Sequence, residues 1–185
     1  MKIGLISDTH VPSMGAEPPS QVRQAFRGVD LILHAGDVYT IDCIRWLEQI
    51  APVESATSRF AGVGEGVPRV STPLVVEAGG QRIGIVHKLE MIPLGDEVWP
   101  GSLDRYPAHA SITDEVRDTF GEDVDIVVFG YTHLPMVESH AGILFVNPGS
   151  PNTVDQVRKL GYVAILTIND DGPSAEIIPL TDIEA

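Results

Sequence analysis

The sequence predicts an α/β fold: a βαβ half followed by a strand-rich half, laid down as two mixed sheets face to face with helices outside. Three observations predict it. Two apolar runs, KIGLIS leading to Asp8 and DLILHAG leading to Asp37, each end in a polar cluster, as buried parallel strands do. A helical apolar stripe lies between them, which makes the connection a crossover. From Pro73 onward, apolar runs come in pairs joined by short glycine-containing turns, the pattern of antiparallel hairpins.

The elements follow in order. After the first strand, Ser20 is placed to cap a helix whose Val22, Ala25, Phe26 and Val29 form one stripe. After the second strand, Thr40 is placed to cap a helix that turns Ile41, Ile44, Leu47 and Glu48 inward and ends by Pro52. LVVEAGGQRIGIVH reads as a hairpin turning at Gly79-Gly80. Leu89 to Ala110 carries Pro93, Pro100, Pro107, Gly95 and Gly101 and reads as a long loop. Ser111 to Phe120 reads as a short helix before the strand VDIVVFG. Two further hairpins follow, with turns at Ala141-Gly142 and Asp171-Gly172. No repeat or linker divides the chain, so residues 1–185 are expected to form a single domain.

Composition narrows the function classes. With 26 acidic against 12 basic side chains, the formal net charge is −14, which disfavours bulk nucleic-acid binding through basic patches. No window approaches the roughly 20 apolar residues of a membrane span. Cys43 is the lone cysteine, and the apolar run Ile3 to Ile6 is too short for a signal peptide, so a cytoplasmic location is expected.

Chemistry-bearing side chains gather at the predicted strand ends. Asp8 and His10 stand two positions apart after the first strand, Asp37 follows Gly36 after the second, His87 closes a third, and His133 follows Gly130 at a fourth. Oxygen and imidazole donors from four strand ends suit one or two divalent ions such as Mn, Fe, Zn or Ni. His34, inside an apolar strand, and His109 and His140, in a loop and beside a turn, read as structural.

SDTH (Ser7 to His10), HAGD (His34 to Asp37), IGIVH (Ile83 to His87), G-x-T-H (Gly130 to His133) and NPGS (Asn147 to Ser150), in this order, resemble the calcineurin-like metallophosphoesterases, in particular the small bacterial and archaeal phosphodiesterases. The resemblance implies a four-layer αββα sandwich with a two-metal site on one edge. It implies Asp8, His10 and His133 as ligands of the first metal, Asp37 as the carboxylate bridging both, and His87 as a ligand of the second. Two-metal sites of this kind activate water and stabilise charge on phosphoryl oxygens.

The chain departs from the family pattern in three places, all around the second metal. Tyr131 stands where the family has the first histidine of G-H-T-H. Lys88-Leu89 follows His87 where the family has a glycine and a further histidine. Glu54 to Gly62 contains no asparagine, and Arg59 occupies the corresponding place. Arg59, Lys88 and Tyr131 are therefore expected to contact phosphate, with Asp37, Arg59 and Tyr131 as the catalytic set. Two functions follow: a metal-dependent phosphoesterase acting on a phosphodiester or small phosphomonoester, weakened by loss of second-metal ligands, or an inactive phosphoesterase-fold module that binds phosphate or a protein. For the second, Ile92-Pro93-Leu94-Gly95-Asp96 resembles a loop of retromer's phosphoesterase-like subunit, which implies a partner patch at Met91, Ile92, Leu94 and Trp99. A small phosphorylated substrate is the expected partner; a protein partner or a homo-oligomer stays open, and no membrane partner is expected.

Overall fold

The structure is a computed structural model that describes residues 1–56, 72–152 and 159–184. Its elements are β1 (Lys2–Ile6), α1 (Gln21–Ala25), β2 (Leu31–His34), α2 (Ile41–Glu48), β3 (Val53–Ser55), β4 (Leu74–Ala78), β5 (Gln81–Val86), β6 (Glu90–Met91), β7 (Asp96–Glu97), α3 (Ile112–Phe120), β8 (Ile126–Phe129), β9 (Met136–His140), β10 (Ile143–Asn147), β11 (Tyr162–Asn169) and β12 (Gly172–Pro179). The strands form two five-stranded sheets, β12-β11-β1-β2-β3 and β4-β5-β8-β10-β9, with β6 and β7 as a separate pair. β1, β2 and β3 run parallel, as do β5, β8 and β10. In the first sheet β11 joins β1 antiparallel and β12 joins β11 antiparallel, and in the second β4 and β9 border the parallel group antiparallel, so both sheets are mixed.

Strand alternation sorts the apolar side chains into three cores. Ile3, Leu5 and Leu33 of the first sheet meet Ile83, Ile85, Ile126, Val128, Leu144 and Val146 of the second in the central one. Ile6 and Ile32 point the other way, onto Val22 and Phe26 around α1 and Cys43, Trp46 and Leu47 of α2. Val127, Phe129 and Phe145 point outward onto Val116 of α3 and onto Leu89, Met91, Val98 and Leu103. Helix, sheet, sheet, helix is thus the layer order, the αββα sandwich that the motifs implied. A glycine in each sheet admits an aromatic ring: a Cβ at Gly4 would lie 2.9 Å from the Phe26 ring, and one at Gly84 would lie 2.8 Å from Phe120.

Several local expectations are corrected. Neither Ser20 nor Thr40 makes a side-chain cap bond; the Ser20 hydroxyl turns to Gln21 instead. Glu48 is exposed, and Cys43 and Trp46 share the inward face of α2 with Ile44 and Leu47. The last hairpin turns at Asp170-Asp171, one residue early, because the Asn169 side chain accepts from the Asp171 amide and Gly172 already pairs with Asn169. Residues 89–110 hold β6, β7 and two short 3-10 turns rather than a plain loop. Met91 is buried in the outer core and Leu94 packs on it, so within the expected apolar patch Ile92 is the side chain that stands out, 86% exposed. Ser111 does cap α3, accepting from the Asp114 amide at 3.2 Å. Among the described residues no helix is long and apolar enough to cross a membrane.

Candidate metal centre

Because the strands of each parallel group share a direction, their C-terminal ends meet at one edge, where the two sheets are stitched together. The Gly130 amide donates to the His87 carbonyl and the Asp8 amide to the Gly36 carbonyl. The Tyr131 amide donates to Asp8 Oδ2 across the sheets at 3.0 Å. A Cβ at Gly36 would lie 2.5 Å from His87 Cβ, and one at Gly130 would strike the Ser7 hydroxyl, so both glycines are needed for this approach.

Six non-glycine residues among those described have positive φ. One is Ala141 in a hairpin turn; the others are Asp8 (53°), His10 (49°), Asp37 (55°), Tyr131 (69°) and His133 (58°). Left-handed backbone costs L-residues roughly 1–2 kcal/mol each, so five such residues concentrate backbone strain at these strand ends. The buried turn after β10 supports the loops that carry Asp8 and Tyr131 to His133. Asn147 Nδ2 donates to the Gly130 carbonyl at 2.9 Å and approaches Thr132 Oγ1 at 3.1 Å, while the Ser150 hydroxyl donates to the Asp8 carbonyl at 2.8 Å.

The structure brings five of the expected ligands together. Asp8 Oδ1 lies 3.0 Å from His87 Nε2 and 3.2 Å from His133 Nε2. His10 Nε2 is 3.3 Å from His133 Nε2, and Asp37 Oδ2 is 3.2 Å from His10 Nδ1. Two groups each offer three donor atoms within 4.8 Å of one another: Asp8, His10 and His133; and Asp8, Asp37 and His87. Asp8 is common to both as the side chains lie, whereas the family pattern gives the shared carboxylate to Asp37. Ligand bonds of about 2.1 Å place donor atoms about 3.0 Å apart on an octahedral edge and about 3.4 Å on a tetrahedral one. The observed donor separations of 3.0 to 3.3 Å around Asp8 and His133 fall in that interval, so the residues fit a divalent ion.

Electrostatics agree. Burial would push the Asp8 carboxyl up, but the hydrogen bonds from His133 and His87 and the nearby His87 charge outweigh it and hold the group well below the ordinary carboxylate range. Burial pushes the His10 imidazole down, against the pull of Asp37 and Asp8. An anionic carboxylate close to a His10 imidazole disposed to stay neutral suits a cation.

Tyr131 and Lys88 lie beside His87. The Tyr131 ring meets the His87 ring edge-on at 5.6 Å, and Lys88 Nζ lies 4.8 Å from the Tyr131 centroid. Lys88 is hydrogen-bonded to Glu90 at 2.6 Å, which raises its pKa and keeps it cationic. Arg59 lies outside the described residues. His34 is fully buried, with Thr9 Oγ1 at Nε2 and the Gly36 amide at Nδ1, and so braces the turn that carries Asp37. Tyr39 escaped the sequence reading: its hydroxyl lies 2.8 Å from His10 Nδ1, and its place two residues after Asp37 was the only available hint. Asn147 and Ser150 were visible as part of NPGS, but their bonds to the site loops were not.

Two mixed sheets whose parallel strand ends converge on carboxylate and imidazole donors have the architecture of the calcineurin-like phosphoesterase class. Residues 1–171 match the family model of the calcineurin-like phosphoesterase superfamily domain, and the chain belongs to that superfamily. It is 35% identical over 180 residues to a "Probable metallophosphoesterase" of Methanothermobacter thermautotrophicus, covering 96% of this chain and 92% of the relative. Among solved structures, wild-type Vps29 of Entamoeba histolytica complexed with Zn²⁺ superposes with a TM-score of 0.62 at 21% identity over 97% of this chain and 99% of that one. An archaeal phosphodiesterase superposes with a TM-score of 0.60 at 17% identity over 96% and 100%. These two likenesses concern the fold.

Proposed function

We propose that the chain hydrolyses a phosphodiester or a small phosphomonoester with the help of a divalent cation. The observation that carries the reading is the convergence of Asp8, His10 and His133, three residues in left-handed backbone, with donor atoms at coordination-edge distances. These three would hold the first ion; Asp37 and His87, with Asp8, would hold a second. Such ions supply Lewis acidity toward phosphoryl oxygen and lower the pKa of bound water.

The chain's own residues do the rest. Asp8 stays anionic and orders His87 and His133 around itself. Lys88 carries a fixed positive charge next to the Tyr131 ring and His87, where it and the Tyr131 hydroxyl can bind phosphate oxygens. Arg59 as a phosphate-binding fork rests on sequence position. Tyr131 offers a phenol where the family offers a further imidazole, so the second ion is held more weakly than the first and turnover is correspondingly slow.

A second reading, phosphate binding without turnover, is favoured by the packing of Tyr131 against His87. Hydrolysis of bis-p-nitrophenyl phosphate with added Mn²⁺ separates the two. Turnover that falls at least 100-fold in Asp8→Asn and rises in Tyr131→His is expected. A parent chain that binds Mn²⁺ and phosphate but shows no turnover establishes the second reading.

A further inference from the structure

We infer that Tyr39 is a positioning residue that orients the His10 imidazole for metal binding. The inference rests on the reading that His10 is a ligand. The Tyr39 hydroxyl lies 2.8 Å from His10 Nδ1, and the two rings meet edge-on with centroids 5.4 Å apart at 77°. The opposite nitrogen, Nε2, faces His133 Nε2 at 3.3 Å, inside the first donor group. A neutral imidazole that offers Nε2 to a cation carries its proton on Nδ1, and that proton needs an acceptor.

Two acceptors stand at Nδ1: the Tyr39 hydroxyl oxygen and Asp37 Oδ2, at 3.2 Å. Asp37 also belongs to the second donor group with Asp8 and His87. A carboxylate engaged there has one oxygen fewer to offer His10, and the phenolic oxygen is the nearer of the two acceptors. Tyr39 is well placed to stay put. Its neighbour Val38 is buried in the core under α1 and α2, and Thr40 begins α2, so both sides of the residue are anchored. The other contacts of the His10 ring, His133 at Nε2 and Asp37 at Nδ1, come from members of the two donor groups, so Tyr39 is the ring partner that lies outside them. The hydroxyl thus sets which nitrogen faces the centre and at what angle.

Tyr39→Phe removes the hydroxyl and keeps the ring, which makes it the variant of choice. Zn²⁺ is titrated calorimetrically into chelator-treated parent and variant, and the His10 ring nitrogens are followed by NMR in the Zn²⁺-loaded forms. The expected result is about tenfold weaker Zn²⁺ binding in the variant, with unchanged thermal unfolding of the metal-free protein. The His10 Nδ1 proton is expected to be visible in the parent and lost to fast exchange in the variant. Equal affinities with identical ring-nitrogen spectra overturn the inference while leaving His10 as a ligand. A parent that binds no Zn²⁺, or binds it as tightly after His133→Ala, overturns the metal reading and the inference with it.

Discussion

At Gly36 the backbone has φ +119°, and a methyl group there would sit 2.5 Å from His87 Cβ. Backbone strain and steric clash act together, so Gly36→Ala is expected to destabilise the protein by about 1–3 kcal/mol, read from the urea midpoint, and to shift His87 away from Asp8. Asn147→Ala acts differently. It leaves every ligand in place but removes the donor to the Gly130 carbonyl and leaves the Gly149 amide without its side-chain acceptor. A loss of about 1–3 kcal/mol is expected, with weakened metal binding because the turn bearing Tyr131 and His133 loosens. Asp8, His10, Asp37, His87 and His133 were legible in the sequence because each ends an apolar run at a glycine or polar cluster. Tyr39 and the part played by Asn147 were not, because they lie in hydrogen bonds to residues 29 and 17 positions away, which leave no spacing to read.

Elements were legible where turn chemistry is local. Gly79-Gly80 takes φ of 59° and 78° and closes the β4–β5 hairpin as expected, and Ser111 caps α3. They were less legible where tertiary packing decides. Pro and Gly between Leu89 and Ala110 spelled a loop, yet Leu89, Met91, Val98 and Leu103 cover the outer face of the second sheet. The fit of α3 on that sheet depends on Gly84, where a Cβ would lie 2.8 Å from the Phe120 ring. Gly84→Ala is therefore expected to cost about 1–3 kcal/mol by overpacking, measured by thermal unfolding, and Gly84→Ala with Phe120→Leu is expected to recover part of it. A neutral Gly84→Ala would show that α3 is free to shift outward.

For the whole molecule, acid sensitivity is built into the strand ends. Burial holds the His34 imidazole down to about 3, with a smaller upward pull from Asp8 and further downward pushes from His87 and His10. His34 is thus neutral in the folded chain, while the unfolded chain takes up a proton below the ordinary value of 6.5. The unfolded state binds more protons in that window, so stability falls as pH drops from 6.5 toward 3, by up to about 1.4 kcal/mol per pH unit. The lowered pKa of His10 acts in the same direction. Asp8, depressed in the fold, adds its loss only below the ordinary carboxylate value of 3.8. Urea unfolding of chelator-treated protein between pH 7 and pH 4 is expected to show a steadily falling midpoint; a flat profile would mean that His34 is protonated without penalty.

The paired-sheet architecture was legible because alternation and parallel crossovers are properties of the whole pattern, whereas the convergence of strand ends on one point is a property of the packed molecule. Anomalous diffraction from crystals soaked in Mn²⁺ measures that convergence most directly. The expected result is a peak within about 2.0–2.3 Å of Asp8, His10 and His133, with a weaker one or none beside His87. A crystal with no anomalous density among these three side chains, or with its peaks elsewhere on the molecule, would contradict the account.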